Sequence, residues 1–161
     1  MDIQIIGTKY LKSNSFGDFK FMINENIKKN IHDSLFIYND NEECKNNKSY
    51  GNGKGNAIIR KYNKNNPKYR NNPYSIGIPT GTFSKGGYKI LDENSKKYID
   101  ESILEIKCLL ENNDYKYLYY SINNLSGRIG TSIFNVNEEV LEYITNEIHK
   151  ISLHPIQLII A

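Results

Sequence analysis

Apolar positions along the chain fall into short β-type runs separated by polar segments. Residues 3–6 and 19–23 are two such runs on either side of a Ser-Asn-Ser-Phe-Gly-Asp turn, which predicts an N-terminal hairpin. Residues 35–38 (Leu-Phe-Ile-Tyr) are a continuous apolar run, typical of a strand that is covered on both faces in a parallel sheet. Residues 74–80 predict a further strand, closed by proline.

Two helices are predicted by apolar residues at helical spacing. Ser95 is the predicted N-cap of the first, in which apolar residues recur at i, i+4, i+7 and i+11: Ile99, Ile103, Ile106 and Leu110. Asn135, with Glu138 three residues later, predicts the start of the second. Its apolar face consists of Val140, Leu141, Ile144, Ile148 and Ile151. Shorter patterns predict a helix over 57–62 and strands over 115–122 and 156–160.

Strands and helices alternate in this pattern, which favours βαβ units. We therefore expect an α/β fold with a mostly parallel or mixed central sheet and helices on both of its faces. A chain of 161 residues suits a single domain. Within it, we expect residues 1–30 to form N-terminal strands or a hairpin and residues 33–161 to form the α/β core.

Composition limits the class of protein. Cys44 and Cys108 cannot make a disulfide framework, and no His/Cys cluster has metal-ligand spacing, so we expect no metal and no cofactor. Cys108 lies in the apolar helical pattern and is predicted to be buried. No apolar run approaches the ~20 residues of a membrane span, and the apolar run after Met1 is too short for the h-region of a signal peptide. We therefore expect a protein of the cytoplasm (host cytoplasm if viral) with no membrane partner, and the oligomeric state stays open.

The positive charge of the chain is concentrated in one loop-rich segment. Residues 41–72 hold eight lysines and arginines against two glutamates, a net charge of +6, whereas the rest of the chain sums to −3. Such a segment attracts an anionic partner. Four tyrosines lie in or beside it, so nucleic acid with bases stacked on aromatic rings is one candidate partner: Tyr50, Tyr62, Tyr69 and Tyr74. The alternative is a solvated surface loop rich in Asn and Lys.

The first candidate binding loop precedes the helix predicted at 57–62. Its glycines let the backbone approach a ligand, and the amides at a helix N-terminus favour an anion. Its spacing fits neither the dinucleotide-binding fingerprint nor the P-loop. The alternative is an ordinary turn rich in Gly and Asn. The candidate ligand-binding residues in this loop are Gly51, Gly53, Lys54, Gly55 and Asn56.

Two more candidate loops also follow predicted strands. After the strand at 115–122, a backbone nest can cup phosphate oxygens and an arginine can pair with a phosphate. The candidate residues there are Ser126, Gly127, Arg128, Ile129 and Gly130. Pro79 and Thr80 end the strand at 74–80, and the Thr80 hydroxyl can hydrogen-bond a ribose or a phosphate. Because the two glycine loops both follow strands, we expect them to open on one cleft, although each of the three loops alone is also compatible with a simple turn.

The order of these motifs resembles a family of small uncharacterised phage and bacterial proteins and, more distantly, the macrodomains, which are α/β modules that bind ADP-ribose. The resemblance covers residues 33–150. It rests on the Leu-Phe-Ile-Tyr-Asn strand, the Gly-x-Gly-Lys-Gly-x-Ala loop, the Tyr-Ser-Ile-Gly-Ile-Pro-Thr strand and the glycine loop that ends at residue 130. It implies a macrodomain-like three-layer fold. It places Asn39 as the asparagine after the strand, Gly53 and Gly55 as the glycines before the helix, and Gly127 and Gly130 in the diphosphate loop.

The expected function is binding of a phosphate-bearing nucleotide-type ligand, such as ADP-ribose or a related nucleotide signal. The alternative is an enzyme that hydrolyses ADP-ribosyl or phosphoester bonds, for which Asp40 and Asn41 are the candidate catalytic residues because they follow a buried strand. Nucleic-acid binding through residues 41–72 is the third hypothesis. The sequence leaves open whether the protein catalyses a reaction.

Overall fold

The computed structural model of the chain describes residues 3–9, 17–46, 53, 55–122, 128–130, 135–152 and 157–160. Its strands are β1 (Gln4–Lys9), β2 (Ser34–Asp40), β3 (Ser75–Pro79), β4 (Gly81–Thr82), β5 (Gly86–Gly87), β6 (Tyr117–Ser121) and β7 (Gln157–Ile160). Its α-helices are α1 (Gly17–Lys28), α2 (Glu42–Asn46), α3 (Glu93–Asn112) and α4 (Glu138–His149). A 3-10 helix covers Gly55–Tyr62.

Five of the strands form one parallel sheet in the order β3-β2-β6-β1-β7. The two short strands β4 and β5 pair separately as an antiparallel ribbon. The prediction of an α/β fold with a mostly parallel sheet is therefore confirmed. The strands predicted over 35–38, 74–80 and 115–122 correspond to β2, β3 and β6.

Helices cover both faces of the sheet, because alternate residues of each strand enter two different cores. On β2, Leu35 and Ile37 pack with α3 and α4, whereas Phe36 and Tyr38 pack with α1 and the 3-10 helix. Along β6, Leu118 joins the first of these cores. The continuous apolar run of β2 thus reflects burial on both faces, as predicted.

The predicted N-terminal hairpin is wrong, because residues 19–23 lie in α1. Phe19 and Ile23 are buried against the sheet, while Phe21 between them is 65% exposed. A strand would place all three side chains on one face, whereas a helix brings i and i+4 together and turns i+2 away. β1 instead pairs in parallel with β6 and β7, so the N-terminal segment supplies an inner strand of the sheet.

The apolar stripes of both long helices are confirmed as buried, but three details differ from the sequence prediction. Asp92 rather than Ser95 is the N-cap of α3; Ser95 is the third helical residue and completes a capping box with Asp92. The N-cap of α4 is Asn137, not Asn135. Cys108 is exposed, because it falls outside the stripe of α3 that faces the sheet.

Candidate functional site

The parallel sheet brings the ends of four neighbouring strands to one edge, its carboxyl edge. β1 ends near Thr8, β2 near Asn39, and Thr80 directly follows β3; β6 lies between β1 and β2. The 3-10 helix returns from this edge towards the other, since Arg60 contacts the end of β2 and Asn63 bridges to the start of β3. Open α/β sheets bind their ligands outside this edge.

Three buried oxygens at the carboxyl edge have no hydrogen-bond partner. They are Thr8 Oγ1, Asn39 Oδ1 and Thr80 Oγ1, and they make up three of the five such side-chain atoms found in the described part of the chain. The other two are Arg60 Nε and Asn72 Oδ1. Buried polar groups are almost always paired, and an unpaired one costs about 1–3 kcal/mol, so a cluster at one edge calls for a functional explanation.

Asn39 is held in a fixed orientation at the end of β2. Its Nδ2 donates a hydrogen bond to the Gly130 carbonyl at 2.5 Å, which leaves Oδ1 directed away without a partner. Asn39 lies two residues after Ile37 on β2, and residues two apart on a strand share a face. The Asn39 side chain is therefore on the sheet face that carries α3 and α4. The resemblance placed a ligand-binding asparagine here, and the structure joins it to the segment after β6.

The described residues of the second glycine loop, 128–130, form hydrogen bonds and ion pairs within the protein. The amide of Ile129 donates to Thr145 Oγ1 at 2.9 Å, and the amide of Gly130 donates to the Ser121 carbonyl at 2.9 Å. The Arg128 guanidinium contacts Glu138 and Glu142 of α4 at 2.5 and 3.3 Å. These groups therefore stabilise the loop in this structure. Ser126 and Gly127, the other candidates of this loop, lie outside the described residues.

The first glycine loop is packed tightly where it can be described. A side-chain carbon added to Gly53 would lie 2.5 Å from both the Cβ and the carbonyl oxygen of Ala57, so only glycine fits. Gly55 has φ +58°, a left-handed conformation that glycine adopts readily. Both residues stand at the start of the 3-10 helix. Gly51, Lys54 and the side chain of Asn56 are candidate site residues that lie outside the described parts.

Asp40 and Asn41, the candidate catalytic residues, have structural partners. Asp40 is 3% exposed, and its Oδ1 accepts from Arg60 at 2.7 Å and from the Asn41 amide at 2.9 Å. Burial raises the pKa of Asp40, and the Arg60 guanidinium opposes that rise. The side-chain oxygen of Asn41 accepts from the Cys44 amide at 2.8 Å and so caps α2.

Several side chains on which the nucleic-acid hypothesis depends make contacts within the protein. Lys45 and Lys64 both contact Glu105 of α3, and Arg60 pairs with Asp40, so three cations of the +6 segment are neutralised. Tyr62 and Tyr74 are buried in the core beneath the 3-10 helix, where their rings cannot stack on bases. Tyr69 packs against that core, and Tyr50 lies outside the described residues.

A ribbon and a short helix cover the carboxyl edge next to Thr80. Thr80 is fully buried, and Pro79 and Gly81 on either side of it are buried too. The β4–β5 ribbon is tied to α2 by two glutamates: Glu43 accepts from the Phe83 amide at 2.8 Å, and Glu42 accepts from the Tyr88 hydroxyl at 2.7 Å. In this structure the Thr80 hydroxyl is therefore closed off from solvent.

A groove of about 640 Å³ lies elsewhere, between α3 and the loop that follows the 3-10 helix. Its lining includes Lys64, Arg70, Leu104, Glu105 and Cys108, none of which was a candidate for the nucleotide site, although Lys64 and Arg70 belong to the +6 segment. No helix within the described ranges is long and apolar enough to cross a membrane. The described residues also contain no group of three or more His, Cys, Asp or Glu side chains that could hold a metal ion.

Comparison of the chain with protein-family models, with curated proteins and with solved structures finds no match. What the protein binds is therefore inferred from the geometry of the carboxyl edge. Sequence reasoning selected Asn39 and Thr80 at this edge but missed Thr8. No motif marks Thr8, since its significance comes from burial without a partner, and that is a property of the folded chain.

Proposed function

We propose that this protein binds a phosphate-bearing nucleotide-type ligand, ADP-ribose or a related molecule, at the carboxyl edge of its sheet. The observation that supports this most is Asn39, whose amide nitrogen is fixed by Gly130 while its buried oxygen has no partner. The mostly parallel sheet with helices on both faces supports a macrodomain-like fold for the same protein.

The chemistry of the unpaired atoms favours a sugar over a bare phosphate at this position. An amide oxygen only accepts hydrogen bonds, so its partner must be a donor such as a ribose hydroxyl. The Thr80 hydroxyl can both donate and accept, which suits a second ribose hydroxyl or a phosphate oxygen. Gly53 and Gly55 flank the start of the 3-10 helix, where backbone amides favour the phosphates.

The test is a thermal-shift and calorimetric titration with ADP-ribose, NAD, a cyclic nucleotide and a short oligonucleotide. A ligand at about 100 times its Kd stabilises a protein by roughly 2.7 kcal/mol, which for a chain of this size raises Tm by about 5–11 °C. We expect this rise with ADP-ribose. No rise with any of the nucleotides would contradict the proposal, and a rise with the oligonucleotide alone that disappears in salt would replace it with nucleic-acid binding.

Thr80→Val is the matching variant, because it removes the hydroxyl and keeps the shape of the side chain. We expect it to weaken ADP-ribose binding roughly 2- to 10-fold, the equivalent of one hydrogen bond. Ser75→Ala, at the opposite end of β3, is the control: it removes a buried hydroxyl that donates to the Ile59 carbonyl, and it should leave binding unchanged. Gly53→Glu is unsuitable, because any side chain there collides with Ala57.

A further inference from the structure

The groove of about 640 Å³ along α3 is lined by none of the residues of the carboxyl-edge site. Its α3 residues are spaced at i, i+3, i+4, i+7, i+8, i+11 and i+12 and so share one face of the helix: Glu101, Leu104, Glu105, Cys108, Leu109, Asn112 and Asn113. At 1.5 Å per residue they make the groove about 18 Å long. The opposite wall consists of Lys64, Arg70 and Asn71.

Apolar side chains on this face of α3 are exposed. Leu104 is 62% exposed, and Cys108, one helical turn later, is exposed as well. The stripe of α3 that packs on the sheet is a different one, from Ile99 to Leu110. The groove therefore holds apolar surface that the described core does not cover, as sites that bind another molecule commonly do.

Charged side chains in the middle of the groove have partners, whereas those near its ends do not. The carboxylate of Glu105 contacts both Lys64, across the groove, and Lys45 of α2. Glu101 lies one turn before Glu105, about 6 Å along the helix axis. Neither Glu101 nor Arg70 forms an ion pair with another residue in the described part of the chain.

Arg70 lies towards the opposite end of the groove from Glu101. Three residues after Arg70, the Pro73 carbonyl accepts a hydrogen bond from the Tyr115 hydroxyl, and Tyr115 comes just after the C-terminus of α3. Glu101 is in the N-terminal half of the same helix. The groove therefore presents a negative charge near one end and a positive charge near the other.

We propose that this groove binds an extended peptide segment of a partner protein, with a basic side chain against Glu101 and an acidic side chain against Arg70. About five or six residues of extended chain, at 3.3 Å per residue, cover the length of the groove. Apolar side chains between the two charged ones pack on Leu104 and Cys108. This inference goes beyond the proposed function and does not depend on it.

The polar groups of the lining fit a peptide better than a nucleic acid. Asn71 and Asn112 carry side-chain amides, which both donate and accept hydrogen bonds as a peptide backbone does. Glu101 and Glu105 place two carboxylates in the groove, which repel the closely spaced phosphates of a nucleic acid. Opposite charges at the two ends also fix the direction in which a bound segment lies.

The experiment selects binders of the full chain from a library of random six-residue peptides and measures their Kd values. We expect the selected peptides to carry one basic and one acidic residue near opposite ends. Arg70→Gln and Glu101→Gln should each weaken binding roughly 2- to 5-fold, the effect of one exposed ion pair. The double variant Arg70→Glu with Glu101→Lys should instead prefer the same peptide with its two charged residues exchanged.

Cys108 reports whether a peptide occupies the groove. A bound peptide should slow alkylation of the Cys108 thiol by iodoacetamide, whereas Cys44, which does not line the groove, should react at an unchanged rate. Leu104→Ser should weaken binding because it removes apolar contact. Ile90→Ser is its control, because Ile90 is exposed to a similar extent, 63%, and does not line the groove.

Several outcomes overturn the inference and leave the proposed function untouched, because ADP-ribose binding is measured separately. They are a library that yields no binder, selected peptides that bind the wild-type chain and the charge-exchanged variant alike, and bound peptides that leave Cys108 alkylation unchanged. Protection of Cys108 by a short oligonucleotide and by no peptide would also overturn it, and would assign the groove to nucleic acid.

Discussion

Two consecutive residues of β2, Asn39 and Asp40, differ in whether their side-chain oxygens find hydrogen-bond partners. Asp40 points towards the 3-10 helix, where the Arg60 guanidinium and the Asn41 amide satisfy it. Asn39 points to the other face, with its oxygen buried and unpaired. The charged residue, which looks more reactive in the sequence, is a structural partner, while the neutral residue carries the unmet hydrogen-bonding capacity. Charge alone therefore does not tell which of the two residues has an unmet hydrogen-bonding group; burial without a partner does.

The largest effect on stability is expected from removing the Asp40 carboxylate. Asp40→Ala leaves Arg60 buried with no counter-charge, which costs about 3–5 kcal/mol, a large part of the roughly 5–15 kcal/mol that stabilises a typical domain. We expect urea unfolding to show this loss. The double variant Asp40→Leu with Arg60→Met should recover most of it, because it removes both buried charges.

A normal unfolding curve for Asp40→Ala, together with lost turnover of an ADP-ribosyl substrate, would reverse the contrast. Asp40 would then be a functional group and not a structural one.

A smaller change in the free energy of unfolding is expected from variants at the two ends of β3. Ser75→Ala leaves the Ile59 carbonyl without its donor in a fully buried place, and we expect a loss of about 1–3 kcal/mol. Thr80→Val removes a hydroxyl that has no partner, so its free energy of unfolding should stay within about 0.5 kcal/mol of the wild-type value or rise. Equilibrium unfolding in urea measures both. Equal losses from the two variants would mean that the Thr80 hydroxyl is paired in solution.

The smallest expected effect is on the pH dependence of stability, through the ion pairs that Glu105 makes with Lys45 and Lys64. Burial raises the pKa of Glu105, but its contacts with Lys45 and Lys64 outweigh burial, and the pKa lies below its ordinary value. A carboxyl group with a lowered folded pKa contributes stability that is present above the unfolded pKa of about 4.3 and is lost as pH falls through the folded value.

Unfolding free energies measured from pH 6 to pH 3 should therefore fall less steeply for Glu105→Gln than for the wild-type chain. The two curves should approach each other as pH falls, because protonation of Glu105 progressively removes the contribution of its ion pairs. Parallel curves over the whole range would show that the two lysines do not hold the carboxylate ionised.

Much of the fold could be predicted from local patterns, and the errors share one cause. The stripe from Ile99 to Leu110 predicted the buried face of α3, because a 3.6-residue repeat is read directly from the sequence. Residues 19–23 were predicted as a strand because so short a run rich in Phe and Ile fits both the two-residue repeat of a strand and the 3.6-residue repeat of a helix. Only the packing of Phe19 against Phe36, with Phe21 left in solvent, decides for the helix.

Part of the candidate site could be predicted from the sequence. The motif order pointed to Asn39 and Thr80, and both lie at the carboxyl edge. Arg128 was predicted to meet a phosphate, but the sequence could not show that α4 would bring Glu138 and Glu142 to its guanidinium. Thr8 could not be selected at all, because its partner strands β6 and β7 follow more than a hundred residues later in the chain.

The sequence by itself determined the alternation of strands and helices and the end of the sheet at which Asn39 and Thr80 lie, because hydrophobic periodicity and chain direction are local properties. Only the tertiary structure decided which polar groups are paired. Pairing depends on what distant segments bring within hydrogen-bonding distance, and here it assigned Arg60 to Asp40 and left the oxygens of Thr8, Asn39 and Thr80 without partners.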